Sequence, residues 1–148
     1  MAEQMVSVSR VIAATPEAIF DILTDPARHG EIDGSGMVQN QRGESGRLEL
    51  GSKFGMDMKF GFLPYRITNT VVEFEENRLI AWCHPGKHRW RYELEPVDGD
   101  DGPATKVTET FDWSTAAIPK AIELMGYPKK HPANMEATLE RLAGLFEG

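Results

Sequence analysis

Residues 53–67 read KFGMDMKFGFLPYRI, and the first eight of them alternate without a break. Phe54, Met56, Met58 and Phe60 share one parity, and Lys53, Gly55, Asp57 and Lys59 share the other. A period of two is the signature of a strand with one buried face. The buried face is unusual in its content, because phenylalanine and methionine stand where valine and isoleucine commonly do. Rings and thioethers are wide, adaptable side chains that suit the wall of a hollow as well as a filled interior.

Strands flank this stretch on both sides. MVSVSRVIAA from Met5 reads as a first strand and GMVQNQRG from Gly36 as a weak one. PYRITNTVVEFE, RLIAWCH, KHRWRYELEP and TKVTETFDWS follow with short turns between them, including Pro85-Gly86 and the looser VDGDDGP. Successive strands with short connections predict an antiparallel meander. Alternation places Tyr65, Ile67, Asn69 and Val71 on the inner face. The next strands add His88, Trp90, Tyr92 and Leu94, then Val107, Glu109, Phe111 and Trp113. Arg89, Arg91, Glu93 and Glu95, with Lys106, Thr108, Thr110 and Asp112, are expected on the solvent side.

Helices bracket the meander. In TPEAIFDILTD, Thr15 is placed to cap, Pro16 takes the first helical position and Glu17 meets the positive end of the helix dipole. Ile19, Phe20, Ile22 and Leu23 form its apolar stripe. PARHGEID predicts a second short helix or turn. TAAIPKAIELMGYP is rich in helix formers but interrupted by Pro119, and it is a candidate cover for the cavity mouth. HPANMEATLERLAGLFEG predicts the long terminal helix, with Pro132 in its first turn and Met135, Leu139, Leu142 and Phe146 along one side.

Composition narrows the function. At 148 residues the chain suits one domain, 1–148. A net charge of −7 with no basic cluster argues against nucleic acid as a partner. No apolar run approaches the roughly 18 residues of a membrane span, so no membrane insertion is expected. The start lacks the pattern of a signal peptide, and the single cysteine, Cys83, permits no internal disulfide; both fit a cytoplasmic setting. Cys83, His84 and His88 match no strong zinc spacing, Cys83 has no identifiable base, and no glycine-rich phosphate loop precedes a helix. No metal or other cofactor is therefore expected, and oligomeric state is left open. His29 and His131 read as ordinary residues near helix ends.

Three polar residues interrupt the inner face: Asn69, His88 and Glu109. A carboxyl in an apolar pocket is expected to hold its proton more tightly, and such a group can serve as a general acid or base. Glu109, with His88, is the candidate catalytic set. A structural partner for the carboxyl is the competing reading.

Taken together, ATPEAIFDILTDPARHGEID, GSKFGMDMKF, NRLIAWCHPGKHRWRYELEP, TKVTETFDWS and NMEATLERLAGLF resemble the START/Bet v 1-like (SRPBCC) superfamily. The likeness is to its bacterial polyketide cyclase/dehydrase and lipid-transport group, and it spans nearly the whole chain. The resemblance implies an α+β helix-grip fold: a curved antiparallel sheet of about seven strands wrapped around the long C-terminal helix, with two short helices after the first strand. It also implies a hydrophobic or aromatic small molecule bound between sheet and helix. Phe54, Met56, Met58, Phe60, Tyr65, Ile67, Asn69, Trp90, Tyr92, Phe111, Trp113, Met125, Met135 and Leu139 are the expected lining. The alternatives are a cyclase- or dehydratase-type enzyme and a protein-interaction module of co-chaperone or toxin–antitoxin type.

Overall fold

The computed structural model describes residues 5–25, 28–29, 38–42, 47–60, 63–83, 88–99, 102–114 and 127–146. Side chains at 38–42, 57–60, 65–66 and 127–131 are outside that description. Strand β1 (Met5–Ile12) leads into helix α1 (Pro16–Leu23). Six strands follow: β2 (Val38–Arg42), β3 (Lys53–Phe60), β4 (Leu63–Glu75), β5 (Leu79–Cys83), β6 (Arg89–Gly99) and β7 (Gly102–Asp112). Helix α2 (Tyr127–Gly144) ends the chain's regular structure. The strands form one antiparallel sheet in the order β1-β7-β6-β5-β4-β3-β2. This is the helix-grip architecture, with α2 packed on β1 and β7 and α1 on β6.

The start of α1 follows its sequence signals. Thr15 is extended and its Oγ1 accepts the Ala18 N–H at 3.3 Å, with Pro16 at the first helical position and Glu17 in the first turn. Ile19, Phe20, Ile22 and Leu23 are all buried, and Phe20 packs on Phe74 with ring centroids 5.6 Å apart. The turn between β4 and β5 is closed by the Arg78 N–H on the Glu75 carbonyl. It holds Asn77 at φ 61°, a left-handed conformation that asparagine tolerates better than most residues.

Helix α2 begins at Tyr127, so Pro132 lies inside the helix and not in its first turn. A proline there forfeits one backbone hydrogen bond. Burial of the stripe Met135, Leu139, Leu142 and Ala143 on the sheet sustains the helix regardless, while Glu136, Glu140 and Arg141 face solvent. The β6–β7 ladder is also longer than the glycine-rich VDGDDGP suggests, because pairing continues to Gly99 opposite Gly102.

A bulge in β4 does the most to shape the sheet. Val71 pairs with Trp82 and Glu73 with Ala81, so Val72 is an extra residue on β4. Strict alternation from Ile67, Asn69 and Val71 would carry Glu73 inward. The bulge reverses the parity, sending Phe74 into the core and Glu73 to the outer face. There Glu73 meets Arg91 of β6 across the intervening β5 residue, Ala81, which is fully buried. Arg91 donates Nε–H to Oε1 at 2.9 Å and Nη2–H to Oε2 at 2.8 Å, and Arg89 Nη1 adds a third bond at 2.9 Å.

This corrects the expectation that the outer residues of β6 and β7 are simply solvated. Arg89 and Arg91 are half-buried, and Thr110 and Asp112 are buried. Thr110 shares a hydroxyl contact of 2.8 Å with Ser7 of β1, and Asp112 accepts the Ser114 N–H and lies 3.4 Å from Arg91. The Ser7 and Arg91 contacts join neighbouring strands, which alternation along a single strand does not reveal.

Candidate inner-face ligand site

The inner face carries two groups of rings. Around β3, β5 and β6, Trp82 meets Phe54 edge-on at 5.5 Å and Tyr92 at 5.6 Å. His29 joins them, stacked on Trp82 at 4.9 Å and edge-on to Phe54 at 5.5 Å. Around the far end of β6 and β7, Phe111 packs on Trp90 at 4.7 Å, Trp113 at 5.6 Å and His88 at 5.4 Å. Met135 of α2 closes on this second group, and Leu139 packs with the first. Register joins the two groups, because Trp82 pairs with Trp90 and Trp90 with Phe111.

Most of the expected lining is therefore brought together. Phe54, Met56, Asn69, Tyr92, Phe111, Trp113, Met135 and Leu139 are buried, and Ile67 and Trp90 are partly buried against the core. Met58, Phe60 and Tyr65 fall on paired strands, but their side chains are outside the described residues, as is Met125. Of the proposed cover at 115–128, residues 115–126 are outside them too and Tyr127 and Pro128 begin α2; the Pro85-Gly86 turn, His84, the side chain of His131 and all of the second short helix except Arg28 and His29 are also outside.

Glu109 is buried on β7, opposite Tyr92 on one side and Val8 on the other. His88 is on the same face, but it precedes β6 and is four residues from Tyr92, roughly 13 Å along an extended chain. Burial lowers the pKa of His88, so its imidazole is neutral at pH 7.

Trp82 and His29 were not expected in the site. Trp82 shares parity with buried Ile80 on β5, so its facing was readable from RLIAWCH. His29 had no such signal, because its partners are 25 and 53 residues away in sequence. It is buried, and burial holds its pKa below the usual value despite the opposing pull of the Leu23 carbonyl and Asp25. Its Nε2–H donates to that carbonyl at 2.9 Å, since a carbonyl can only accept.

A groove of about 860 Å³ opens elsewhere, on the outer side of the sheet, with Glu73, Arg91, Glu93, Glu95, Lys106 and Thr108 among its walls. Its walls are rich in charged side chains, so it does not suit a lipophilic guest. Among the described residues, no three His, Cys, Asp or Glu side chains gather as metal ligands, and no helix is long and apolar enough to cross a membrane.

Comparison with known proteins agrees with the fold. Protein NE0264 from Nitrosomonas europaea superposes with a TM-score of 0.72 at 16% identity, over 98% of this chain and 95% of that one. The AHSA1-like protein from Aeromonas hydrophila superposes with a TM-score of 0.60 at 20% identity, over 95% and 93%. At such identities these likenesses establish the fold. In sequence, the uncharacterized protein Rv0088 of Mycobacterium tuberculosis is 43% identical over 145 residues. That match takes in 95% of this chain but only 63% of the relative's length. The family model described as polyketide cyclase / dehydrase and lipid transport matches residues 3–147, and the chain belongs to that family.

Proposed function

We propose that this protein binds a hydrophobic or aromatic small molecule between the inner face of the sheet and α2. The observation that carries the reading is the ring-lined inner face itself, from Phe54 and Trp82 through Trp90 to Phe111 and Trp113, with Asn69 and Glu109 buried within it. Apolar walls with a few convergent polar groups are the usual composition of a small-molecule site. Family membership supports the same class of ligand. The whole chain, 1–148, serves as one binding domain in this reading.

Binding is placed ahead of catalysis because it rests on the whole ring-lined face, whereas a proton-transfer role would rest on Glu109 and His88 alone. It is favoured over a protein-docking role by the surface. Among the described residues, the exposed large apolar side chains Met5, Val11, Leu50, Leu63 and Leu145 do not follow one another along any element. Met5 and Val11, both on β1, are six residues or about 20 Å apart.

All three tryptophans of the chain, Trp82, Trp90 and Trp113, belong to the inner face. Intrinsic fluorescence is therefore a direct probe. Native mass spectrometry of the purified protein, followed by titration of any extracted compound, should show a lipophilic adduct and a shift in tryptophan emission. Absence of any adduct, with unchanged emission across a panel of fatty acids, sterols and polycyclic aromatics, refutes the reading.

A further inference from the structure

Asn69 is 3% exposed, and its buried Oδ1 has no hydrogen-bond partner among the described residues. Withdrawing an amide oxygen from water in this way costs about 1–3 kcal/mol, so the atom is a place where a guest can recover free energy. Register sets Asn69 opposite Phe54. Phe54 in turn touches both His29 and Trp82. Because His29 Nε2 carries the hydrogen given to Leu23, its Nδ1 retains a lone pair. Asn69 Oδ1 is thus the buried acceptor beside Phe54. Among the described residues, no lysine or arginine is buried, and the other buried ionisable group of this face, Glu109, is an acid.

We propose that the Phe54–Trp82 end of the inner face is a subsite for an uncharged aromatic group bearing a hydrogen-bond donor, a phenolic or enolic hydroxyl, with Asn69 Oδ1 as the acceptor that selects it. The inference rests on the inner face being a ligand site and adds the chemistry of one end of the ligand. Trp82, His29 and Phe54 pack on one another by one stacked and two edge-on contacts, which makes this end of the face an aromatic wall beside Asn69. A hydroxyl satisfies Asn69. An ether or hydrocarbon leaves it unpaired. A carboxylate brings negative charge against lone pairs, with no buried cation among the described residues to offset it.

Isothermal titration calorimetry of the intact chain at pH 7 with 2-naphthol, 2-methoxynaphthalene and 2-naphthoate tests this. The expected result is that 2-naphthol binds about tenfold tighter than 2-methoxynaphthalene, the equivalent of one recovered hydrogen bond, with 2-naphthoate weakest. Asn69→Leu should bring the naphthol-to-ether ratio to about one and leave the ether's affinity within about twofold. It should not lower the thermal midpoint of the unliganded protein, since it removes a buried unpaired oxygen. Equal affinity for naphthol and ether in the wild type overturns the proposal, as does a preference that survives Asn69→Leu, or tightest binding of naphthoate. If none of the three binds while other lipophiles do, the subsite is wrong and the ligand site stands. If nothing lipophilic binds, the ligand site falls as well.

Discussion

Replacing Glu73 by glutamine removes one charge from the outer face with almost no change in shape. Glu73 accepts three charge-assisted hydrogen bonds of 2.8–2.9 Å, two of them from the guanidinium of Arg91. The side chains retain 23% and 16% of their exposure, so the pair is neither a surface bridge nor a fully buried one. An exposed pair contributes about 0–1 kcal/mol, whereas removing one partner of a buried pair costs about 3–5 kcal/mol. Glu73→Gln is therefore expected to cost about 2 kcal/mol, and Arg91→Met a similar amount. Much of each loss is the penalty of the stranded partner, so the double variant should fall short of the sum by about 1.5 kcal/mol. Urea denaturation at low and high salt measures the cycle, and most of the coupling should survive 1 M salt because the pair is shielded from ions. The Arg91 hydrogen bond also holds the Glu73 carboxyl below its usual pKa of 4.5. The folded state then binds fewer protons than the unfolded chain in that range. The stabilisation is fully present above pH 4.5 and disappears as pH falls through the folded value. A coupling energy below about 0.5 kcal/mol would refute the view that this pair ties β4 to β6.

Acid should weaken the protein in a milder range for a different reason. Burial lowers the pKa of both His29 and His88 from 6.5, so the unfolded chain binds protons first as pH drops below that value, and stability falls by up to about 1.4 kcal/mol per pH unit for each histidine. Urea midpoints measured from pH 7 to 5.5 should decline, and more steeply in the wild type than in His29→Phe; a flat wild-type profile contradicts the buried neutral imidazole. Leu139→Ala removes a fully buried side chain of α2 that packs with the ring cluster, and a loss of about 2–5 kcal/mol is expected from thermal or urea unfolding; a loss under about 1 kcal/mol would mean that α2 is not gripped by the sheet.

Much of this was legible in the sequence because a half-buried sheet writes its facing into alternate residues. Phe54 and Met56, Trp90 and Tyr92, and Val107, Glu109, Phe111 and Trp113 all face as their parity demands. The cap at Thr15 was readable because it depends on contacts three residues apart. What escaped depends on contacts between distant segments. His29 enters the ring cluster through Trp82, and nothing in PARHGEID marks it for burial. Asp112 and Thr110 are buried on the outer face by Arg91, Ser114 and Ser7, which belong to neighbouring strands and to the chain beyond β7. The position of Pro132 misled for a related reason. Proline is a good local signal for a helix start, but tertiary burial of Met135 and Leu139 tolerates it one turn further in.

The bulge at Val72 links the two halves of the molecule. Without it, β4 would place Asn69, Val71 and Glu73 on one face, and a carboxylate would stand where Phe74 now packs on Phe20. With it, the same strand offers Asn69 to the inner rings and Glu73 to the outer arginines within five residues. The outer ion pair crosses β5 at Ala81, directly between the inner-facing Ile80 and Trp82. A larger residue at Ala81 would push Glu73 and Arg91 apart, and Arg91 lies between Trp90 and Tyr92 in the chain. The polar clamp on one side of the sheet is thus placed to hold β4, β5 and β6 in register, and with them the spacing of the rings on the other side.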